Sequence, residues 1–110
     1  MTVLRERIGE VLRSRRVQQG RTLREISADA QVSLGYISEV ERGQKEASSE
    51  LLAALCDALA VPMSAVLREV SDRLELDERI AARRAGSLRE IGTVTIPTGA
   101  VDTSEVVAAA

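Results

Sequence analysis

Apolar residues recur along the chain at helical spacing, in short stretches separated by polar breaks. Leu4, Ile8, Val11 and Leu12 share one face of a helix that Thr2 can cap and Gly20 can end. Thr22-Leu23-Arg24-Glu25 has the order of a capping box, a hydroxyl at the cap and a carboxylate three residues on. It opens a short helix with Leu23, Ile26 and Ala30 inward, ending by about Gln31. Val32-Ser33 restarts the chain: Ser33 caps a helix from Leu34 to Arg42, and Gly43 stops it. Ile37 and Val40 face inward there, while Leu34, Gly35, Ser38, Glu39 and Arg42 share the opposite face. Ser48 or Ser49 caps a fourth helix carrying Leu51, Leu52, Leu55 and Leu59, ended at Val61-Pro62 because the residue before Pro is disfavoured in α. Ser64 to Val70 supplies a fifth helix with Val66, Leu67 and Val70 inward.

The segment from Ser71 to Ala85 is highly charged but keeps Leu74, Leu76, Ile80 and Ala81. It predicts further helix, continuous with the fifth or restarted at Ser71. From Gly86 the pattern fades. Thr93-Val94-Thr95-Ile96 has strand composition but no partner strand, so residues 92–110 read as a flexible tail. The expected organisation is residues 1–70 as one helical domain, 71–91 as a helical extension, and 92–110 as the tail.

Composition narrows this picture. Among 110 residues the one aromatic is Tyr36, so a core must be built from Leu, Ile, Val and Ala. That favours an all-α fold. No apolar run is long enough to span a bilayer, and the charged segment Met1 to Glu10 lacks the apolar centre of a signal peptide. The single cysteine, Cys56, cannot form an internal disulfide and reads as a small core hydrophobe, which fits a reducing cytoplasm. With no histidine, neither a catalytic constellation nor a zinc site is expected, and no cofactor. The net charge is −2, but residues 1–45 hold nine Lys/Arg against six Asp/Glu, and residues 46–110 six against eleven. A basic first half can present a local positive face to a polyanion.

Two short helices joined by a three- to four-residue turn form the helix-turn-helix unit, here Thr22 to Arg42. One helix is the right width for the major groove of double-stranded DNA, and its partner braces it across the backbone. Thr22 to Ser27, Val32-Ser33, Tyr36-Ile37-Ser38, Glu41-Arg42-Gly43 and Ser48 to Leu52 together resemble the lambda-repressor-like XRE family. Gly20 to Glu25, Ser33 to Tyr36 and Ser48 to Leu52 are more narrowly similar to the actinobacterial regulators of Clp protease genes.

The resemblance implies a five-helix domain that binds DNA. It places Ser33, Leu34, Gly35, Ser38 and Glu39 where relatives read bases, and Tyr36 and Arg42 where they hold phosphates or pack beside them. It also implies an ion pair between Arg16 and Glu41 joining helix one to the recognition helix. Arg21, Thr22, Arg42, Lys45 and the first amides of helices two and four are the expected phosphate contacts. Arg24 can reach a phosphate or a guanine edge, and Glu39 can accept from a cytosine amino group. The sequence departs from the family pattern at Gln31, where many relatives have Gly; a residue with a Cβ there is strained or takes a different turn. It departs also at Ala47, where many have Pro, and at Leu34 and Gly35, which replace longer polar side chains.

Leu67, Val70, Leu74 and Ala81 form an apolar stripe that needs cover. The cover is helix one or a second copy; a homodimer is the expectation, because one reading helix spans only a few base pairs and a two-fold pair doubles the contacts. The resemblance implies a regulator, an activator of Clp protease and stress-response genes, acting on an inverted repeat. The antitoxin of a toxin–antitoxin pair uses the same fold and is the alternative; a helical interaction module without nucleic acid is a third. The ending Glu105-Val106-Val107-Ala108-Ala109-Ala110 looks like bacterial degradation tags, which makes Clp protease a candidate degrader. Ala109→Asp with Ala110→Asp is expected to lengthen the protein's half-life in cells after synthesis is blocked; an unchanged half-life removes the degradation signal.

Overall fold

The computed structural model describes residues 4–89, and every regular element among them is a helix. In order these are α1 (Leu4–Gln18), α2 (Leu23–Ala30), α3 (Leu34–Glu41), α4 (Ser49–Ala58) and α5 (Met63–Arg89). The Thr2 cap and the 92–110 tail with its terminal alanines lie outside the described residues. The expected caps form. Thr22 Oγ1 accepts from the Glu25 amide at 3.1 Å while Glu25 Oε1 accepts from the Thr22 amide at 3.0 Å, closing the capping box. Ser33 Oγ accepts from the Tyr36 amide, and Ser48, not Ser49, caps α4 by accepting from the Leu51 amide, both at 3.1 Å.

Four helices end in the same way. Each carries one left-handed residue just past its last turn: Gly20 (φ 69°), Gln31 (φ 57°), Gly43 (φ 77°) and Ala60 (φ 56°). In each case the next amide reaches five residues back: Arg21 to Arg16, Val32 to Ser27, Gln44 to Glu39 and Val61 to Cys56. This pairing satisfies carbonyls that the helix ends would leave unmet. Gln31 therefore takes the strained branch of the expectation and keeps the turn. At the end of α4 the stop is Ala60, ahead of Val61-Pro62, and the Pro62 carbonyl then accepts from Ala65 and Val66 at the start of α5.

The core is aliphatic throughout: Val11, Leu12, Ile26, Ile37, Val40, Leu52, Leu55, Leu59, Val61, Val66, Val70 and Cys56. Burial pushes the Cys56 thiol up, and Asp57 adds to the effect, so it stays protonated within this core. Leu4, expected to face inward, is exposed. The α5 helix runs through Ser71 without a break, since nothing from Met63 to Ala85 interrupts good helix formers. By compactness the chain divides at Glu75, so the first unit takes in one more helical turn than expected, the turn that carries Leu74. Val70 is fully in the core and Leu74 packs against it. These two stripe residues are thus covered by the protein's own chain, as the intramolecular reading holds, while Leu67 and Ala81 stay exposed.

A left-handed conformation costs a residue with a Cβ about 1–2 kcal/mol, and the freer unfolded chain of glycine offsets about 0.4–1 kcal/mol of that relief. Gln31→Gly and Ala60→Gly are each expected to raise stability by about 0.5–1 kcal/mol in urea unfolding, additively, because they sit at different helix ends. A loss of stability at either position would show that its side chain contributes more than its backbone strain removes.

Candidate nucleic-acid interface

The unit formed by α2 and α3 is built around Ser27. Its carbonyl accepts from the amides of both Gln31 and Val32, and its hydroxyl donates to the Val32 carbonyl. The turn of Gln31 to Ser33 is thereby tied to the last turn of α2, which offsets the strain at Gln31. One side of α3 is sealed in the protein by Ile37, Val40 and Glu41. On the other side Leu34, Gly35 and Arg42 are exposed and Ser38 and Glu39 half-buried, so the five residues expected to face outward do so.

Two features seat α3 on α1. Gly9 is buried so close to α3 that a Cβ there would lie 2.3 Å from the Val40 carbonyl oxygen and 2.7 Å from that of Glu41. Sequence reading missed this contact. Its signal was a glycine inside an otherwise well-formed helical stripe, where alanine is favoured by about 1 kcal/mol. The second feature is the Arg16–Glu41 pair: Nε to Oε2 at 2.8 Å and Nη2 to Oε1 at 3.0 Å. The Glu41 side chain is only 6% exposed and that of Arg16 13%. Arg16 Nη1 also donates to the Arg21 carbonyl at 2.9 Å. The hydrogen bond that Arg16 donates to Glu41 raises the Arg16 pKa against the opposing effect of burial, so its charge is permanent.

The loop after α3 is pinned from both sides. Tyr36 Oη donates to the Glu46 carbonyl at 2.8 Å, and Arg5 Nε donates to the Gly43 carbonyl at 3.0 Å. This bracing stands in for the proline absent at Ala47. Tyr36 is partly buried against the core, so its ring and hydroxyl serve the loop first.

The expected contact residues fall into two groups. Thr22 and Ser33 are exposed, and their hydroxyls accept cap bonds while keeping a proton to donate. The exposed side chains of Arg24 and Lys45 and the half-buried side chain of Glu39 make no hydrogen bond or ion pair among the described residues. Arg42 donates to Ser38 Oγ. Arg21 departs from the expectation. Its guanidinium donates to the Ala58 carbonyl at 2.6 Å and to the Asp29 carboxylate, so it joins the ends of α2 and α4 instead of standing free for a phosphate. No group of three or more His, Cys, Asp or Glu among the described residues could hold a metal ion. No single described helix is long and apolar enough to cross a membrane.

A short brace helix, a tied turn and a second helix sealed on one side and open on the other define a helix-turn-helix protein. The chain belongs to that family, whose model matches residues 12–66. It is 57% identical over 79 residues to the transcriptional regulator ClgR of Mycobacterium tuberculosis, covering 72% of this chain and 70% of that protein. The crystal structure of the clp gene regulator ClgR from Corynebacterium glutamicum matches with a TM-score of 0.66 and 45% identity, over 77% of this chain and 93% of that one. The restriction-modification controller protein C.Esp1396I, solved as a tetramer with its natural 35 base-pair operator, shares the fold at 19% identity and a TM-score of 0.57, over 64% and 97% of the two chains. These relatives are regulators, which bears out the reading of a protein that is not an enzyme.

Glu41→Ala leaves the Arg16 charge enclosed without its partner, and a broken buried pair costs about 3–5 kcal/mol. Urea unfolding is expected to show a loss of that size, and Glu41→Gln, which keeps one acceptor, a smaller one. A loss below about 1 kcal/mol for Glu41→Ala would mean that water reaches Arg16.

Proposed function

We propose that the protein is a cytoplasmic, sequence-specific transcription regulator that binds an inverted-repeat operator as a homodimer and activates Clp protease and stress-response genes. One observation carries the DNA-binding part: α3 is fixed on α1 by the Arg16–Glu41 pair while Leu34, Gly35, Ser38, Glu39 and Arg42 stand outward. An eight-residue helix held this way can enter the major groove. Thr22, Arg24, Ser33, Arg42 and Lys45 then supply phosphate contacts along its edges, with the first amides of α2 and α4. The identity with ClgR, named as a regulator of clp genes, supports the target class and favours it over the antitoxin alternative.

The homodimer reading now rests on other residues of α5. With Val70 and Leu74 covered, the exposed apolar side chains are Leu67, Leu76 and Ile80, of which Leu76 is 57% and Ile80 46% exposed. Leu76 and Ile80 are four residues apart, on one face of the helix. Burying such a pair against its symmetry mate removes apolar surface from water on both copies.

Selection of bound duplexes from a random pool is expected to return an inverted repeat with half-site centres about one helical turn apart. Binding should weaken steeply with salt, as phosphate neutralisation releases counterions. Leu76→Asp with Ile80→Asp should reduce the preference to a single half-site without unfolding the protein. Recovery of no sequence preference, or of binding indifferent to salt, rejects DNA regulation; a direct repeat rejects the two-fold dimer.

A further inference from the structure

The outward face of α3 contains one hydrogen bond between its own side chains. Arg42 Nη1 donates to Ser38 Oγ across one helical turn. A serine hydroxyl has one proton and two lone pairs. With a guanidinium on one lone pair, the O–H dipole turns its proton away from the cation, and the nearby positive charge disfavours a second donor at the other lone pair. The hydroxyls of Thr22 and Ser33 differ, since each accepts from a neutral backbone amide of its own cap. Ser38 is also the only hydroxyl on the outward face, because Leu34 and Gly35 carry no polar group there.

We propose that Arg42 is a positioning residue that fixes Ser38 as a hydrogen-bond donor toward a base edge, so that α3 recognises an acceptor at that position. This rests on the reading of α3 as a groove-entering helix and names the base chemistry it reads. Purine N7 and guanine O6 are acceptors in the major groove, whereas cytosine and adenine present amino groups. The carboxylate of the next residue, Glu39, is the complementary partner and takes an amino group. An A·T pair sets the adenine amino group between two acceptors, N7 and thymine O4, that repel a carboxylate, whereas a G·C pair sets the cytosine amino group beyond the two guanine acceptors, so the Ser38–Glu39 step matches a G·C pair better. Arg42 uses one of its five donors on Ser38, and the remainder stay available to the phosphate backbone.

The test uses the full chain and the duplex that it selects. Binding is measured for the wild type, Ser38→Ala, Arg42→Ala, Arg42→Lys and the Ser38→Ala/Arg42→Ala double variant. The duplexes carry each guanine replaced in turn by 7-deazaguanine, or its pair replaced by A·T. One guanine per half-site is expected to matter by about tenfold for the wild type. That preference should vanish in both alanine variants, with no further loss in the double, and be partly kept by Arg42→Lys. Uniform weakening of all duplexes by Arg42→Ala, with the preference intact, overturns the proposal and leaves Arg42 a phosphate contact. Preference lost with Arg42→Ala but kept with Ser38→Ala overturns it too, since Arg42 would then read guanine itself. A wild type that selects no sequence at all sinks the groove-entering reading on which the proposal stands, an outcome distinct from the other two.

Discussion

The contact between α1 and α3 is the constraint from which the rest of the molecule follows. Gly9 and Arg16 lie seven residues apart, on one side of α1. The missing Cβ at Gly9 lets the end of α3 come down onto the α1 backbone. At that separation the Glu41 carboxylate meets Arg16 with two bonds, and the third guanidinium nitrogen holds the Arg21 carbonyl just before α2. One side chain thus fixes the end of α1, the entry to α2 and the end of α3. Relative to a well-packed apolar pair such an ion pair adds little net stability. What it supplies is geometry: a hydrophobic contact tolerates sliding, whereas a two-pronged guanidinium–carboxylate pair has one arrangement.

That fixed arrangement matters because the core is poor in shape. Built from Leu, Ile, Val and Ala without a ring, it offers few large, distinctive surfaces by which one helix could find its place on another. Polar devices at the helix ends take over this task. The capping hydroxyls of Thr22, Ser33 and Ser48 set where helices begin. The four left-handed residues set where they stop. Between them Gln19 donates to the Leu59 carbonyl and Arg21 to that of Ala58, tying the chain before α2 to the end of α4. Burial drives collapse, and these directed bonds select one packing among many of similar apolar content.

This division explains what was legible in the sequence. Apolar spacing and cap residues are local signals, so the five helices, the capping box, the outward residues of α3 and the Arg16–Glu41 pair implied by family likeness could all be read from the chain. Gly9 could not be placed, because a helical glycine announces itself only once the neighbouring backbone is known. Arg21 was misread for a related reason: its exposure depends on where Asp29 and the α4 carbonyls end up, and those are tertiary facts. The stripe on α5 held two kinds of residue with the same spacing. Val70 and Leu74 face the protein's own core while Leu76 and Ile80 do not, and helical periodicity alone cannot divide a long helix into a covered and an uncovered part.

The composition of the α3 face bears on why such a protein would act in pairs. Of its five outward residues, Leu34 offers only apolar contact and Gly35 none beyond backbone approach. If α3 enters the groove, base recognition by hydrogen bonds falls to Ser38 and Glu39, with Arg42 holding Ser38 in place. A good bidentate contact is worth about 1–3 kcal/mol of discrimination, and a single hydroxyl or carboxylate contact falls at the low end of that range. One copy would then separate its site from random duplex by far less than the thousandfold or greater ratio typical of specific binders. Glu39 also places a negative charge on the surface that must approach phosphates, which lowers sequence-independent attraction and makes the few matched base contacts count for more. Two copies on a symmetric site would add their discrimination energies, which makes up for the contact that the apolar Leu34 does not offer. On the proposed reading, the small, weakly polar face of α3 and the uncovered apolar turn of α5 would be two parts of one physical solution.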